Sequence, residues 1–340
     1  MKKNAAFVAI LILIFSIITA VILQFKNPVK KKQDGKIQII ATLFPQYDFA
    51  KQIGGDKVDV ILLLPSGSES HTYEPTPQDM VSINNSDLFV YTGKEMEPWA
   101  DNIISGMKND IKVLDLSTTV DLINSEEFEE EHSEEGEEHH DGDEHHHEDE
   151  HNHEGEHYHD EEHHHAYDPH IWLNPQYAIQ MVRAIENQLC ELDPDNKEYY
   201  QNNASAYIKE IEQLDNDIEE TVDNSKNKKI AFGGVFAYAY FIERYNLDFK
   251  SAYESCGESA EPSTAQIKEV IDYINEYKLP VIFYKEYTTG NHARTISEAT
   301  GAKMLVFNTV HNVSKDEIKD GATYVSIMRQ NLENLKKALN

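Results

Sequence analysis

The sequence predicts an α/β protein of two lobes, each with a mainly parallel sheet flanked by helices, and the lobes are joined by one long rigid helix. Three observations support this fold class. Short apolar runs bounded by turn residues recur in two sets, the intervening segments have helical patterns, and one long amphipathic segment separates the sets.

Each apolar run is continuous rather than alternating, which indicates a strand covered on both faces. The first set is IQIIATL (37–43), VDVILLL (58–64), LFVYT (88–92) and IKVLD (111–115). The second set is KIAFG (229–233), LPVIFY (279–284) and KMLVF (303–307). We therefore place an N-terminal lobe at 37–175 and a C-terminal lobe at 229–340.

The connection between the lobes, residues 176–228, contains the long helix at about 194–224. Apolar residues recur there every three or four positions, from Ala204 to Val222. A helix of about 30 residues would be roughly 45 Å long. Such a helix would act as a stiff spine and would resist wide hinge opening.

The N-terminus predicts a membrane anchor. Residues 5–23 carry no charge, and 19 helical residues span about one hydrocarbon core. Lys2 and Lys3 favour a cytoplasmic N-terminus and place the rest of the chain outside the cytoplasm. We expect an uncleaved signal-anchor at 1–25 and a tether at 26–36, with a cleaved signal peptide as the alternative.

The formal charge of −31 is unevenly distributed. Residues 126–165 hold 20 acidic and 13 histidine residues without one Lys or Arg, whereas the rest carries 41 acids and 30 bases. This charge excludes non-specific nucleic-acid binding. The segment has almost nothing apolar to bury and predicts a disordered loop within the N-terminal lobe.

Two loops carry candidate metal ligands. PSGSESHTYEPTPQDM (65–80) follows a predicted strand directly and presents His71 at its carboxyl end. DPHIWLNP (168–175) holds His170 between two prolines, before a helix opened by Asn174-Pro175. A single histidine in each of two separate loops is one way to build a metal site from distant segments. The alternatives are that His71 is a surface histidine and that Trp172, beside His170, only packs in the core.

SHTYEPTPQDM, DPHIWLNP, the long helix and EATGAK (298–303) resemble the extracytoplasmic substrate-binding proteins of zinc and manganese ABC transporters, in order over roughly 37–340. The resemblance implies a TroA-like fold, zinc-uptake function of the ZnuA-like kind, no enzymatic activity, and metal bound between the lobes. It also implies an ABC permease as partner. We expect a monomer. Its transported ligand should be Zn²⁺, because the candidate ligands in the matching motifs are imidazoles, and Mn²⁺ is the alternative.

The family's metal ligands carry over to His71 and His170 because those motifs match. The usual third histidine falls near Val235, and the usual aspartate falls on Asn308. Valine cannot bind a cation, so His311, three residues beyond Asn308, is the first substitute. Oxygen ligands that rank lower are Glu258, Glu261 and Glu286.

The histidines of the acidic loop predict auxiliary capture of zinc, copper or nickel, because imidazole suits these ions. They are His139, His140, His145, His146, His147, His151, His153, His157, His159, His163, His164 and His165. The alternative is that this charged segment only keeps the protein soluble. Residues 147–151 and 153–157 also match the H-E-x-x-H zinc-protease pattern, but mutually repelling carboxylates with no apolar face cannot form the ordered helix that this mechanism needs.

Two readings of function therefore remain open. The first is a membrane-tethered receptor that delivers Zn²⁺ to a permease. The second is an extracellular metal buffer or adhesin-like protein, in which the loop does the binding. Cys190 and Cys256 could form one disulfide or remain separate thiols.

Overall fold

The computed structural model describes residues 35–107, 111–133, 166–253 and 261–340. Two four-stranded sheets, both entirely parallel, form the two lobes, so the predicted fold class is confirmed. The seven strands expected from the apolar runs are all present, and the first and last residues of each strand lie within two positions of those of its run.

The N-terminal sheet has the strand order β2-β1-β3-β4. Its strands are β1 (Ile37–Ala41), β2 (Val58–Leu62), β3 (Leu88–Tyr91) and β4 (Lys112–Asp115). The central strands β1 and β3 are buried along their whole length, and their sequences are apolar except for Gln38, which is itself buried. All four carboxyl ends therefore lie on one edge of the sheet, where the loop with His71 begins.

The C-terminal sheet has the equivalent order β6-β5-β7-β8. Its strands are β5 (Lys229–Phe232), β6 (Asp248–Ser251), β7 (Val281–Tyr284) and β8 (Lys303–Val306). The sequence did not predict β6. Its residues, DFKS, are only half buried because the strand lies at the sheet edge, so it lacks the continuous apolar run of a covered strand.

Helices cover both sheets and connect successive strands. They are α1 (Phe44–Gly54), α2 (Pro77–Ile83), α3 (Ala100–Ser105), α4 (Ser125–Ser133), α5 (Pro175–Leu192), α6 (Lys197–Asp223), α7 (Ala239–Tyr245), α8 (Thr264–Tyr277), α9 (Asn291–Thr300), α10 (Lys315–Lys319) and α11 (Tyr324–Leu339). Asn174 accepts the Gln176 backbone N–H at the start of α5, and Ser263 with Gln266 forms a capping box on α8, as their sequences predict.

The long helix α6 is fastened to its neighbours by one buried carboxylate. Asp215 is 2% exposed and accepts hydrogen bonds from Gln176 on α5 (2.6 Å) and from Arg244 and Tyr245 on α7 (2.7 Å each). Asp215 therefore ties the spine to both lobes, since α5 follows the His170 loop and α7 follows β5.

One hydrophobic core runs through both lobes. It includes strand residues of both sheets, the buried face of α6 and the apolar face of α11. Trp172 lies at the junction, completely buried; its Nε1 donates to the Thr309 carbonyl (2.7 Å), and its own carbonyl accepts from Tyr324 Oη (2.7 Å). The two lobes are thus packed on each other rather than linked only by the spine.

The expectation that disorder begins at residue 126 is wrong for the start of that segment. Residues 125–133 form α4, which buries Phe128 against Phe236 and Phe249 of the C-terminal lobe, with ring centroids 6.0 Å apart in each case. The His132 ring stacks on Phe128 at 4.3 Å. One aromatic side chain supplies enough apolar surface to dock a helix that is otherwise acidic.

Several predictions fall on residues outside the described ranges. These are the signal-anchor and tether up to residue 34, the histidine-rich stretch 134–165, and Glu258 and Cys256. Within the described ranges, no helix combines the length and apolarity needed to cross a bilayer. Cys190 carries a free thiol, and burial raises its pKa.

Candidate metal centre

His71 lies on the loop that follows β2, and the helix after that loop fixes its path. Thr76 caps α2 by accepting the Asp79 backbone N–H, while Asp79 accepts the Thr76 N–H in return. His71 is half buried, and both of its ring nitrogens are shielded from solvent. Its ring centroid lies 5.4 Å from that of His170, so the structure brings together the two histidines of the two predicted loops.

His170 is 1% exposed and its orientation is set by Asp168. Asp168 Oδ1 lies 3.0 Å from His170 Nδ1 and also accepts the His170 backbone N–H at 2.7 Å. Tyr240 of the C-terminal lobe holds this turn from the other side by donating to the Asp168 carbonyl (2.9 Å). A proton on Nδ1 directed at the carboxylate leaves the lone pair on Nε2, which is the tautomer that metal-binding histidines use.

His311 lies on the loop after β8, as predicted, and is 2% exposed. Its Nδ1 lies 3.2 Å from Glu286 Oε1 and contacts Thr309 Oγ1. Glu286 also accepts hydrogen bonds from the Thr309 backbone N–H (2.9 Å) and hydroxyl (2.6 Å). His311 therefore repeats the histidine–carboxylate arrangement of His170 from the opposite lobe.

Burial lowers the pKa of His311, an effect that Glu286 only partly offsets, so its imidazole is neutral at pH 7. Burial would raise the pKa of Glu286, but hydrogen bonds from His311 and Thr309 outweigh it and keep the carboxyl ionised. A neutral imidazole backed by a carboxylate is chemically suited to bind zinc.

The C-terminal loops hold unusual backbone conformations beside these side chains. Val310 has φ of 63° and Tyr287 has φ of 55°, a region that β-branched and bulky residues rarely adopt. Asn308 helps to hold the Val310 conformation, because its Oδ1 accepts the Val310 N–H at 2.6 Å. The Asn308 side chain is thus engaged in shaping the loop that presents His311, at the position where the family resemblance implied a ligand.

Glu69 and Lys285 form an ion pair between the lobes beside these histidines. Lys285, the residue after β7, is 7% exposed and donates to Glu69 Oε2 at 3.0 Å. Burial would raise the pKa of Glu69, but the charge of Lys285 and its hydrogen bond outweigh it and, with smaller electrostatic contributions from His311 and His71, hold the pKa well below its usual range. Glu69 therefore lies within electrostatic reach of histidines from both lobes.

A second buried carboxyl group fastens the strand ends of the N-terminal lobe. Glu97 accepts hydrogen bonds from Thr42 after β1 (2.5 Å), from the Thr92 hydroxyl (3.2 Å) and backbone N–H (3.1 Å) after β3, and from the Gly93 N–H (3.1 Å). Its complete burial nevertheless raises its pKa to about 7. This network sets the edge that packs against the His311 loop, since the Phe44 N–H donates to the His311 carbonyl at 3.1 Å.

The other predicted ligands have different surroundings. Glu261 is 80% exposed and pairs with His292 at the start of α9 rather than with His71 or His170. Val235 is half buried on the loop after β5. Among the residues that the structure describes, no three His, Cys, Asp or Glu side chains are grouped closely enough to hold a metal ion as they stand.

Sequence reasoning did not identify Asp168 or Lys285. Asp168 precedes His170 by two residues in a turn, a spacing that lets a carboxylate reach the neighbouring imidazole. Lys285 directly follows a buried strand at its carboxyl end, the same signal that singled out Glu286.

The architecture described above is that of solute-binding receptors for metal ions. It combines two lobes with parallel sheets, one connecting helix, and histidines on loops at the carboxyl ends of both sheets. The chain belongs to the family described as zinc-uptake complex component A, periplasmic, whose model matches residues 39–338.

Individual relatives agree with this family. The chain is 36% identical over 305 residues to the high-affinity zinc uptake system protein ZnuA of Bacillus subtilis, covering 89% of this chain and 88% of that protein. It is 32% identical to the zinc-binding lipoprotein AdcA of Streptococcus pneumoniae, but it spans only 57% of that protein's length.

Solved structures show the same fold. The Zn(II)-bound ZnuA-like domain of S. pneumoniae AdcA aligns with a TM-score of 0.70 at 28% identity, covering 90% of this chain and 99% of that domain. The laminin-binding protein Lmb of Streptococcus agalactiae, described as having adhesin and metal-transporting activity, aligns with a TM-score of 0.70 at 25% identity, covering 89% of this chain and all of that one.

Proposed function

We propose that this chain is the extracytoplasmic receptor of an ABC importer, which binds Zn²⁺ between its lobes and passes it to a membrane permease without chemical conversion. One observation carries the proposal. His170 and His311, from opposite lobes, are both buried with Nδ1 directed at a carboxylate, and His71 lies against His170.

In the proposed site, His71 and His170 provide the first two imidazole ligands and His311 provides the third. Asp168 and Glu286 fix ring orientations from behind rather than binding the ion. A small movement of the His311 loop relative to the N-terminal lobe would close the site. Imidazole ligands favour Zn²⁺ over Mn²⁺, which prefers oxygen ligands.

The binding test needs a chain from which the histidine-rich segment has been removed without disturbing α4. Replacing residues 134–165 by an eight-residue Gly/Ser linker would achieve this, because α4 carries the chain only about 12 Å from the loop base. Zn²⁺ affinity would be measured by competition with a chromogenic chelator. We expect one tight site per chain.

In that background, His71→Ala and His170→Ala should each weaken Zn²⁺ binding more than about 100-fold, because even the loss of a carboxylate behind a ligand costs 10- to 100-fold. Asp168→Asn should weaken Zn²⁺ binding by about 10- to 100-fold. His292→Ala is the matched control, since His292 pairs with Glu261 outside the histidine pair, and its affinity should not change. Unchanged binding in both His71→Ala and His170→Ala would refute the receptor proposal.

The absence of a preformed three-ligand group among the described residues favours a second candidate, an extracellular zinc buffer whose histidine-rich segment does the binding. The linker-replaced chain separates the two, since a buffer would lose all tight binding. An adhesin-like role, as stated for Lmb, would appear as laminin binding that does not depend on His71 and His170.

As a receptor component, the histidine-rich segment would scavenge zinc for the inter-lobe site. Cells that carry the linker-replaced chain should then take up less zinc than wild type only when zinc is scarce. An equal deficit at high zinc would contradict scavenging.

We further propose that residues 1–25 hold the receptor at the outer face of the cell membrane. Relatives described as periplasmic or as lipoproteins support a location outside the cytoplasm. N-terminal sequencing of the protein purified from membranes tests the anchor, because a mature chain that begins beyond residue 25 would show that the segment is cleaved.

A further inference from the structure

We propose that Lys285 sets the metal affinity of the inter-lobe site: its ammonium group is a built-in cation that holds Glu69 across the cleft and opposes the incoming metal ion. The inference rests on the proposed function and adds a residue that contacts the site without serving as a ligand.

The geometry places this ammonium between the two lobes, where it pairs with a partly exposed carboxylate. Lys285 extends from the carboxyl end of β7, next to Glu286, and only 7% of it is exposed. Its partner, Glu69, belongs to the other lobe and precedes His71 by two residues. The pair therefore connects the strand end that carries Glu286 to the loop that carries His71.

The neighbours of Lys285 contact or carry histidines of both lobes. Glu286, next to it in the chain, lies 3.2 Å from His311 Nδ1, and its partner Glu69 belongs to the loop that carries His71. Glu69 in turn interacts with Lys285, His311 and His71. A dication bound by these imidazoles would thus share its surroundings with a fixed positive charge, and it would compete with Lys285 for the Glu69 carboxylate.

Stability alone does not explain a lysine at this position. Removing an ammonium group from water is costly, and an apolar side chain of similar volume often stabilises a fold as well as a buried ion pair does. A receptor that must hand over its ion has a different requirement, since affinity that is too high prevents release. A fixed cation beside the ligands lowers affinity without removing any ligand.

The experiment uses the full chain and measures Zn²⁺ affinity by competition of one equivalent with a chromogenic chelator. Lys285→Met removes the charge and keeps most of the volume, and Lys285→Arg keeps the charge. We expect Lys285→Met to bind Zn²⁺ about fivefold more tightly or better, because a dication within a Debye length of an ammonium is repelled by about this much even at the dielectric constant of water. Lys285→Arg should stay within about twofold of wild type.

Glu69 provides a further test of the competition. Glu69→Gln should weaken Zn²⁺ binding, and the gain from Lys285→Met should be smaller in the Glu69→Gln background, because the contested carboxylate is then absent. Lys285→Gln serves as the uncharged variant if Lys285→Met does not fold, as judged by circular dichroism without metal.

Equal or weaker Zn²⁺ binding by the folded, uncharged variant would overturn the proposal, as would equal tightening by Lys285→Arg. These failures differ from failure of the proposed function. If His71→Ala and His170→Ala abolish tight binding while Lys285→Met leaves it unchanged, only the role of Lys285 is refuted.

Discussion

Asp215 provides a quantitative test of how the spine helix is held. The substitution Asp215→Asn keeps the shape of the side chain and removes its charge. The carboxylate is 2% exposed and accepts from Gln176, Arg244 and Tyr245 at 2.6 to 2.7 Å. Arg244 is only 23% exposed, so water would replace the lost counter-charge poorly.

Breaking a buried ion pair by removing one partner costs about 3 to 5 kcal/mol. The amide can still accept hydrogen bonds through its oxygen, so we expect the lower end, a loss of about 3 kcal/mol in the free energy of unfolding. Equilibrium urea unfolding followed by circular dichroism measures it, provided that the dependence on urea concentration is the same for both proteins.

Asp217→Asn is the matched control, two residues further along the same helix. Asp217 pairs with Arg329 at 3.0 Å, but these side chains are 31% and 44% exposed. Exposed pairs contribute less than about 1 kcal/mol. A loss in Asp215→Asn no larger than that in Asp217→Asn would refute the conclusion that burial of this carboxylate holds the spine.

Three further substitutions test other contacts. Phe128→Ala should reduce the free energy of unfolding by about 2 to 3 kcal/mol, measured by urea unfolding, because it removes the aromatic ring that docks α4 on Phe249; no loss would mean that α4 is not docked. Trp172→Phe should cost about 1 to 3 kcal/mol because it leaves the buried Thr309 carbonyl without its donor, and a stability equal to wild type would contradict this. The raised pKa of Glu97 favours folding fully below pH 4.5, and this contribution is lost as the pH rises to about 7. Wild type should therefore lose roughly 2 to 3 kcal/mol relative to Glu97→Gln between pH 4.5 and pH 8, and parallel pH profiles would exclude the shift.

The sequence predicts those parts of the fold whose burial is uniform. Strands β1, β3 and β7 are covered on both faces, so their sequences are apolar except for Gln38 in β1, and this identifies them as strands. Edge strand β6 is half exposed and polar, and its hydrogen bonds with β5 form only in the assembled sheet. Helix α4 was missed for a related reason, because one phenylalanine supplies its packing and its partners lie more than 100 residues away.

The candidate site divides in the same way. His71 and His170 follow strands or stiff turns, and local sequence is enough to place them at a cleft. The support behind the histidines depends on tertiary contacts: Lys285 meets Glu69 across 216 positions, and Tyr240 meets Asp168 across 72. Asn308 shows the limit of matching by position, since its side chain shapes the backbone turn at Val310.

The core shared by both lobes has a consequence for how the chain is made. Leu332, Leu335 and Leu339 of the last helix belong to the same core as Ile37 and Ile39 of the first strand. The first lobe therefore cannot complete its packing while the end of the chain is still being synthesised or exported. Apolar surface on the early strands therefore stays open to non-native contacts until α11 has packed against the rest of the core.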